Sequence, residues 1–228
     1  MWISVVIPAL NEEEPIAQVV CEVAATKLPH EIIVVDNDST DRTAERARHA
    51  GARVISTRRG YGRACAAGVA AVSDKCELIV LLDGDGSDVP QFIPALVKPI
   101  VDGTHDFVIG SRTRGKREPG SMNAQQIFAG YLAGFLIRAL YGVRYTDMSP
   151  FRAIRRDALQ KLGMQEETYG WNLEMQMKAA RAGLRILEIP VDHRCRTGGM
   201  SKVSGTLRGT FVASFRIIAT FLKIALGH

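Results

Sequence analysis

Short runs of aliphatic and β-branched residues alternate along this chain with longer stretches in which apolar positions recur every three or four residues. In the first half, runs at 3–7, 31–35, 53–56 and 78–82 are each followed by a longer stretch, at 15–25, 41–50, 63–72 and 90–100, and a fifth run stands at 107–109. The short runs predict strands and the long ones helices, because side chains alternate faces along a strand and return about every 3.6 residues round a helix. This alternation predicts an α/β fold with a mostly parallel sheet flanked by helices. Residues 32–35 and 78–82 hold no polar side chain, as suits strands buried on both faces.

Beyond residue 111 the rhythm changes. Residues 111–120 are rich in glycine and charge and predict a mobile loop. An apolar helix follows over 124–141, then a turn or strand over 146–154, a helix over 172–182 and a strand over 185–189. A second glycine- and cation-rich loop, 194–205, leads to a closing helix over 206–226. At 100° per residue Arg208, Arg216 and Lys223 fall within an arc of about 80°, leaving an apolar remainder. That pattern fits a helix lying in a membrane interface, and it fits equally a helix packed on the sheet or in a dimer contact. No uncharged apolar run reaches the length of a membrane span.

With 228 residues and 46% apolar content, the chain predicts one domain over 1–205 and an amphipathic helix over 206–228. The N-terminus lacks the basic region and cleavage site of a signal peptide and reads as a first strand, so a cytoplasmic protein is expected. Cys21, Cys65, Cys76 and Cys195 show no Cys-x-x-Cys spacing, which excludes a zinc ribbon or a dithiol motif and leaves buried thiols. Net charge is +5 but divided: residues 1–111 hold 10 Lys+Arg against 16 Asp+Glu, or −6, and residues 112–228 hold 19 against 8, or +11. A basic half suits an anionic membrane or a phosphorylated small molecule. Nucleic acid fits less well, since aromatics do not interleave with the cations.

Ligands of such sheets bind beyond the carboxyl ends of the strands. Three of those ends are polar: residues 8–13, residues 36–41 and residues 83–88. Asp83-Gly84-Asp85 follows a buried strand, which presents two carboxylates at the rim with a glycine that allows close backbone approach. Paired carboxylates repel a bare diphosphate, and Mg²⁺ or Mn²⁺ resolves the repulsion by accepting oxygens from both. The plainer alternative is a solvated turn with Ser87 or Asp88 capping the next helix. Ser39 or Thr40 reads as a helix cap with Asp41 on the dipole, leaving Asp36 and Asp38 free to bind a base. Asn11 and Glu12 divide similarly, because Asn11 also reads as a cap with Pro15 in the first turn.

The stretches PALNEE, VVDNDSTDRT, RRGYGRA, LLDGDGSD, GSR, DMSPFRAIRRDAL, YGWNLEMQMKAARAGLRILEIPV and RTGGMSKVSGT resemble, in order, the family-two inverting glycosyltransferases of GT-A fold. The resemblance is greatest to the branch acting on polyprenyl (dolichyl) phosphate, and it covers nearly the whole chain. It implies a nucleotide-sugar-binding half over 1–111 and an acceptor-binding half over 112–205. Pro8, Ala9, Asn11, Glu12, Asp36 and Asp38 would line the nucleoside pocket, with Gly62 and Arg63 near it and Asp83, Gly84 and Asp85 serving diphosphate and metal. Arg112, Arg152, Arg196 and Lys202 would meet donor or acceptor phosphate. Relatives often carry a glutamine as a further metal ligand where Ser87 stands, so the resemblance implies only the two aspartates as ligands here. His193 occupies the place of a late ligand in other GT-A enzymes but reads as an ordinary surface histidine.

The implied reaction is direct displacement by an acceptor, with Asp85 in the catalytic set. Glu174 or Asp147 becomes the base if the acceptor is a hydroxyl. The partners implied are a UDP- or GDP-linked sugar and a lipid phosphate, with peripheral membrane contact and a possible homo-oligomer. A soluble phosphorylated acceptor and a non-catalytic scaffold are the rivals. A dinucleotide-binding oxidoreductase fails because Gly60-Tyr61-Gly62 continues to Cys65, where Gly-x-Gly-x-x-Gly requires glycine.

Overall fold

The computed structural model describes residues 1–197 and 221–223. Seven strands form one sheet: β1 (Trp2–Ala9), β2 (Glu31–Asp36), β3 (Arg53–Ser56), β4 (Cys76–Leu81), β5 (Phe107–Ser111), β6 (Arg152–Arg155) and β7 (Ile186–Pro190). Their order is β3-β2-β1-β4-β6-β5-β7, and all neighbours run parallel except where β6 lies antiparallel between β4 and β5. The helices are α1 (Ile16–Ala25), α2 (Thr43–His49), α3 (Tyr61–Ala71), α4 (Ile93–Val101), α5 (Ala124–Tyr141), α6 (Arg156–Leu162) and α7 (Trp171–Arg181).

The two-residue period of the strands divides the core. Val5, Ile7, Leu78, Val80 and Leu82 face one layer with α1 and α4, whereas Val6, Ile79 and Leu81 face the other with α3 and α7. These aliphatic side chains are at most 2% exposed, and each contributes roughly 1.5–3 kcal/mol by leaving water. Gly68 of α3 lets that helix lie against the sheet, since a Cβ there would stand 2.3 Å from Val6 Cγ1. The order of strands reverses between β1 and β4, and the crevice at their carboxyl ends is the switch point where sheets of this type take ligands.

Several boundaries differ from the sequence reading. The helix expected over 90–100 opens as a 3-10 turn, Pro90–Phe92, before α4. The segment expected as a turn or strand resolves into loop and then β6, and α6 follows it directly, a helix absent from the sequence reading. Ser39 and Thr40 do not cap α2: the carboxylate of Asp41 accepts from the Thr43 N–H at 3.0 Å. Asn11 does not cap α1, whose N-cap is Pro15. The closing helix over 206–226 and most of the 194–205 loop lie outside the described residues, apart from helical Phe221–Lys223, of which Phe221 is buried.

Candidate active site

At the switch point the turn after β4 sits directly on the end of β1. A Cβ on Gly84 would meet Ala9 Cβ at 3.1 Å and Pro8 O at 3.3 Å, so glycine lets the turn sit this close without its neighbours giving way. Gly86 has φ of +78°, the left-handed conformation that reverses the chain. Neither Ser87 nor Asp88 caps the following turn. Asp88 Oδ2 instead accepts from the Asp83 N–H at 3.1 Å, and Ser87 donates through its N–H and hydroxyl to Asp85 Oδ1 at 2.9 and 2.6 Å. The Tyr61 hydroxyl donates to Asp83 Oδ1 at 3.0 Å. Both acids are therefore aimed by the protein.

The electrostatics are crowded. Burial, then Asp85 and Asp88, push the Asp83 carboxyl well above its ordinary range. Burial likewise raises Asp88 to about 7, with Asp85 and Asp147 adding to it against the Asp83 N–H and Arg112. His193 is 5% exposed and so is not the surface histidine the sequence suggested. Its backbone bridges to Asp88 and Arg117, and burial followed by Arg112 lowers its pKa to about 4. Asp88 Oδ1 and His193 Nδ1 stand 3.9 Å apart, both buried and without a hydrogen-bond partner among the described residues. Acidic oxygens with one imidazole are donors that Mg²⁺ and Mn²⁺ accept, so the residues fit such an ion in kind. No three such groups among the described residues already converge on one point.

Across the crevice, Ala9 and Asp36 are register partners at the ends of β1 and β2. Asn11 is left-handed at φ +52°; its Oδ1 accepts from the Thr40 N–H at 2.8 Å and its N–H donates to Ser39 Oγ at 3.0 Å. Asp36 Oδ1 accepts from the Ser39 N–H at 3.2 Å, and Asp38 is exposed at φ +68°. Asn37, which the sequence left without a role, is buried and accepts from the Gly60 N–H at 2.7 Å, tying β2 to the start of α3. Pro8 and Ala9 are buried, so what they offer a ligand is backbone.

Residues 194–197 fold over this rim. The Arg194 and Thr197 N–H groups donate to Ser87 O and Asp85 O at 2.9 and 3.1 Å, and the Arg194 guanidinium grips Glu22 of α1 with two bonds of 3.1 Å. Arg196 then reaches inward, donating to Glu12 Oε1 at 2.8 Å and standing 3.2 Å from Asp85 Oδ2. It joins the first and fourth strand ends. On the other side Arg112 makes a two-pronged bond with Asp147, both contacts 2.8 Å. Burial works against both charges, yet the pair more than restores them: the Asp147 carboxyl lies below its ordinary pKa and the Arg112 guanidinium above. Glu188 of β7 accepts from the Thr146 N–H at 2.9 Å and the Asp147 N–H at 3.2 Å, which fixes the loop carrying Asp147.

Residues 4–163 match the sequence family described as glycosyl transferase family 2. The chain belongs to that family. It is 37% identical over 214 residues to an uncharacterised glycosyltransferase of Mycobacterium tuberculosis, covering 92% of this chain and 94% of the relative. It is 35% identical to the dolichyl-phosphate hexose transferase of Haloferax volcanii, over 86% of this chain and 84% of that protein. Among solved structures it resembles glucosyl-3-phosphoglycerate synthase from M. tuberculosis in complex with Mn²⁺, UDP-glucose and phosphoglyceric acid. The TM-score is 0.78 and the identity 28%, over 97% of this chain and 79% of the other. The chain is thus a glycosyltransferase with the Rossmann-like GT-A fold that its motifs implied.

Of the remaining expected residues of this glycosyltransferase, Arg152, Asp147 and Glu174 are buried. Arg152 is 0% exposed: its guanidinium donates to Ser149 O and to Asn172 O at 3.3 Å and lies 5.9 Å from the Phe107 ring. It has no surface with which to meet a phosphate. Asp147 is committed to Arg112, and Glu174, at 3% exposure, accepts from the N–H groups of Gln165 and Glu166 and pairs with Lys178 at 2.8 Å. Gly62 and Arg63 seat that same loop: their N–H groups donate to Thr168 O and Glu167 O, and a Cβ on Gly62 would lie 2.1 Å from Glu166 O. Lys202 lies outside the described residues. Tyr61 and Glu188 escaped the sequence reading. A tyrosine between two glycines in RRGYGRA, and a glutamate within the apolar LEIPV strand, were the available signals.

Proposed function

We propose that this glycosyltransferase moves a hexose from a UDP- or GDP-linked donor to the phosphate of a polyprenyl phosphate. The observation that carries the reading is the Arg196 bridge between Glu12 and Asp85, which assembles charge of both signs across the switch-point crevice. In this reading Asn11, Glu12, Asp36 and Asp38, with the backbone of Pro8 and Ala9, hold the nucleoside. Asp83 and Asp85 hold Mg²⁺ or Mn²⁺, which when bound neutralises the diphosphate against the carboxylates. Arg196 and Lys202 take up charge on the leaving diphosphate, and Arg112 faces phosphate from the other side.

The acceptor oxygen attacks the anomeric carbon from the face opposite the diphosphate. One C–O bond forms as the other breaks, and the configuration inverts. A phosphate oxygen is already anionic at neutral pH and needs no strong base. That suits a site in which both base candidates, Asp147 and Glu174, are buried and engaged. The phosphoglyceric acid in the similar synthase supports a second reading, a soluble phosphorylated acceptor. Enzyme incubated with labelled UDP- and GDP-hexoses, Mn²⁺ and either undecaprenyl phosphate or phosphoglycerate separates the two. Label in the organic phase, with inverted anomeric configuration by NMR, is the expected result. Label confined to a water-soluble phosphoglycerate adduct overturns the lipid acceptor.

A further inference from the structure

Helix α5 packs the opposite way from an ordinary surface helix. Its buried positions are Gly130, Ala133, Gly134 and Ile137, whereas Phe128 is 66% exposed, Tyr131 51% and Phe135 68%. Three of the four buried positions are glycine or alanine, and three large aromatic residues face water. The close seating is built in, because a Cβ on Gly134 would lie 2.1 Å from Tyr145 O. Nor is α5 a frayed segment with accidental exposure: Asn123 and Gln126 form a reciprocal capping box, and Gly142 closes the helix at φ +73°. Leaving three aromatic side chains in one exposed stripe forfeits the main stabilisation a helix offers, unless something covers them.

Charge points to what does. From residue 119 to residue 146 there is no aspartate or glutamate, and exposed Arg138 and Arg144 stand at the C-terminal end of the stripe. A second copy of the chain laid against this face would bring like charges together with no acid on α5 to offset them. An anionic lipid surface takes the aromatic rings at the headgroup level and the guanidinium groups among its phosphates. No helix among the described residues is long and apolar enough to cross a membrane, and a stripe running along one face of α5 suits a helix lying along the surface. The placement is also useful. The inner side of α5 adjoins the acceptor half of the site, since a Cβ on Gly130 would lie 3.5 Å from Cα of Asp147, the partner of Arg112.

We propose that the outer face of α5, through Phe128, Tyr131 and Phe135 with Arg138, seats the enzyme on an anionic lipid surface. The inference goes beyond the acceptor reading and does not require it. The full chain, F128S/F135S and R138Q are sedimented with vesicles of phosphatidylcholine alone and of phosphatidylcholine with phosphatidylglycerol. Light scattering of each protein, and its thermal shift with UDP-hexose and Mn²⁺, are recorded alongside. The expected result is wild-type binding that favours the anionic vesicles, about tenfold or more weaker in F128S/F135S, with R138Q losing the anionic preference and both variants keeping the wild-type melting temperature without ligand. Wild-type protein that stays in the supernatant overturns the proposal. So does equal binding by F128S/F135S, or a wild-type dimer that this variant dissociates. The donor-induced shift reports separately on the proposed reaction, so the two readings fail independently.

Discussion

Asp85 divides its carboxylate between two tasks: Oδ1 is held by Ser87, and Oδ2 faces Arg196. Fixing one oxygen aims the other, and that is what the short strand-to-turn connection accomplishes with a glycine on either side. Glu188 works one layer further back. It is 7% exposed as a side chain and takes hydrogen bonds from two backbone N–H groups and the Thr146 hydroxyl. Glu188→Ala orphans those donors, so urea denaturation should show a loss of about 1–3 kcal/mol, with Glu188→Gln recovering part of it by keeping an acceptor oxygen. An unchanged midpoint in Glu188→Ala would show that the loop is held by something else. At this scale the acids at strand ends were legible in the sequence because their positions follow from the strands. Asp147, Glu174 and Arg152 were visible as residues but not as buried ones, because burial is decided by chain segments far away in sequence.

At the scale of elements, the alternation of short apolar runs with periodic stretches placed nine of the strands and helices to within a few residues through Ile109. It left β6 as one of two alternatives, a turn or a strand, and missed α6. Arg152–Arg155 is a four-residue strand flanked by cations, with no run long enough to announce itself, and its pairing with β4 and β5 is tertiary. Edge strand β7 is fastened to β5 partly by Asp106, whose carboxylate takes three bonds of 2.7–3.0 Å from Arg185. Those bonds, opposed by partial burial, hold the Asp106 pKa down at about 2 against an ordinary 3.8. The sign follows directly: the native state prefers the charged form, so the pair stabilises above about pH 4 and the benefit is lost as pH falls through about 2. Wild type should therefore exceed Asp106→Asn in urea midpoint near neutrality, and the gap should close between pH 4 and pH 2. A gap independent of pH would mean the carboxylate's charge is not what matters.

Across the whole molecule, the division of charge seen along the chain becomes a division in space. Strands β1 to β5 come from the acidic half and β6 and β7 from the basic half, and β6 lies directly beside β4, so the two meet next to the switch point. Arg196 and Arg112 approach the rim from the basic half, and Glu12, Asp83 and Asp85 present it from the acidic one. In the proposed reaction these acids bind an activated sugar together with a divalent cation. The direct measurement is thermal unfolding of wild type and Asp85→Asn against UDP- and GDP-hexoses, with and without Mn²⁺. The expected result is that one donor stabilises the wild type only when Mn²⁺ is present, and that Asp85→Asn melts near the wild-type temperature but gains no such shift. Stabilisation that ignores the metal, or that survives intact in Asp85→Asn, would contradict it.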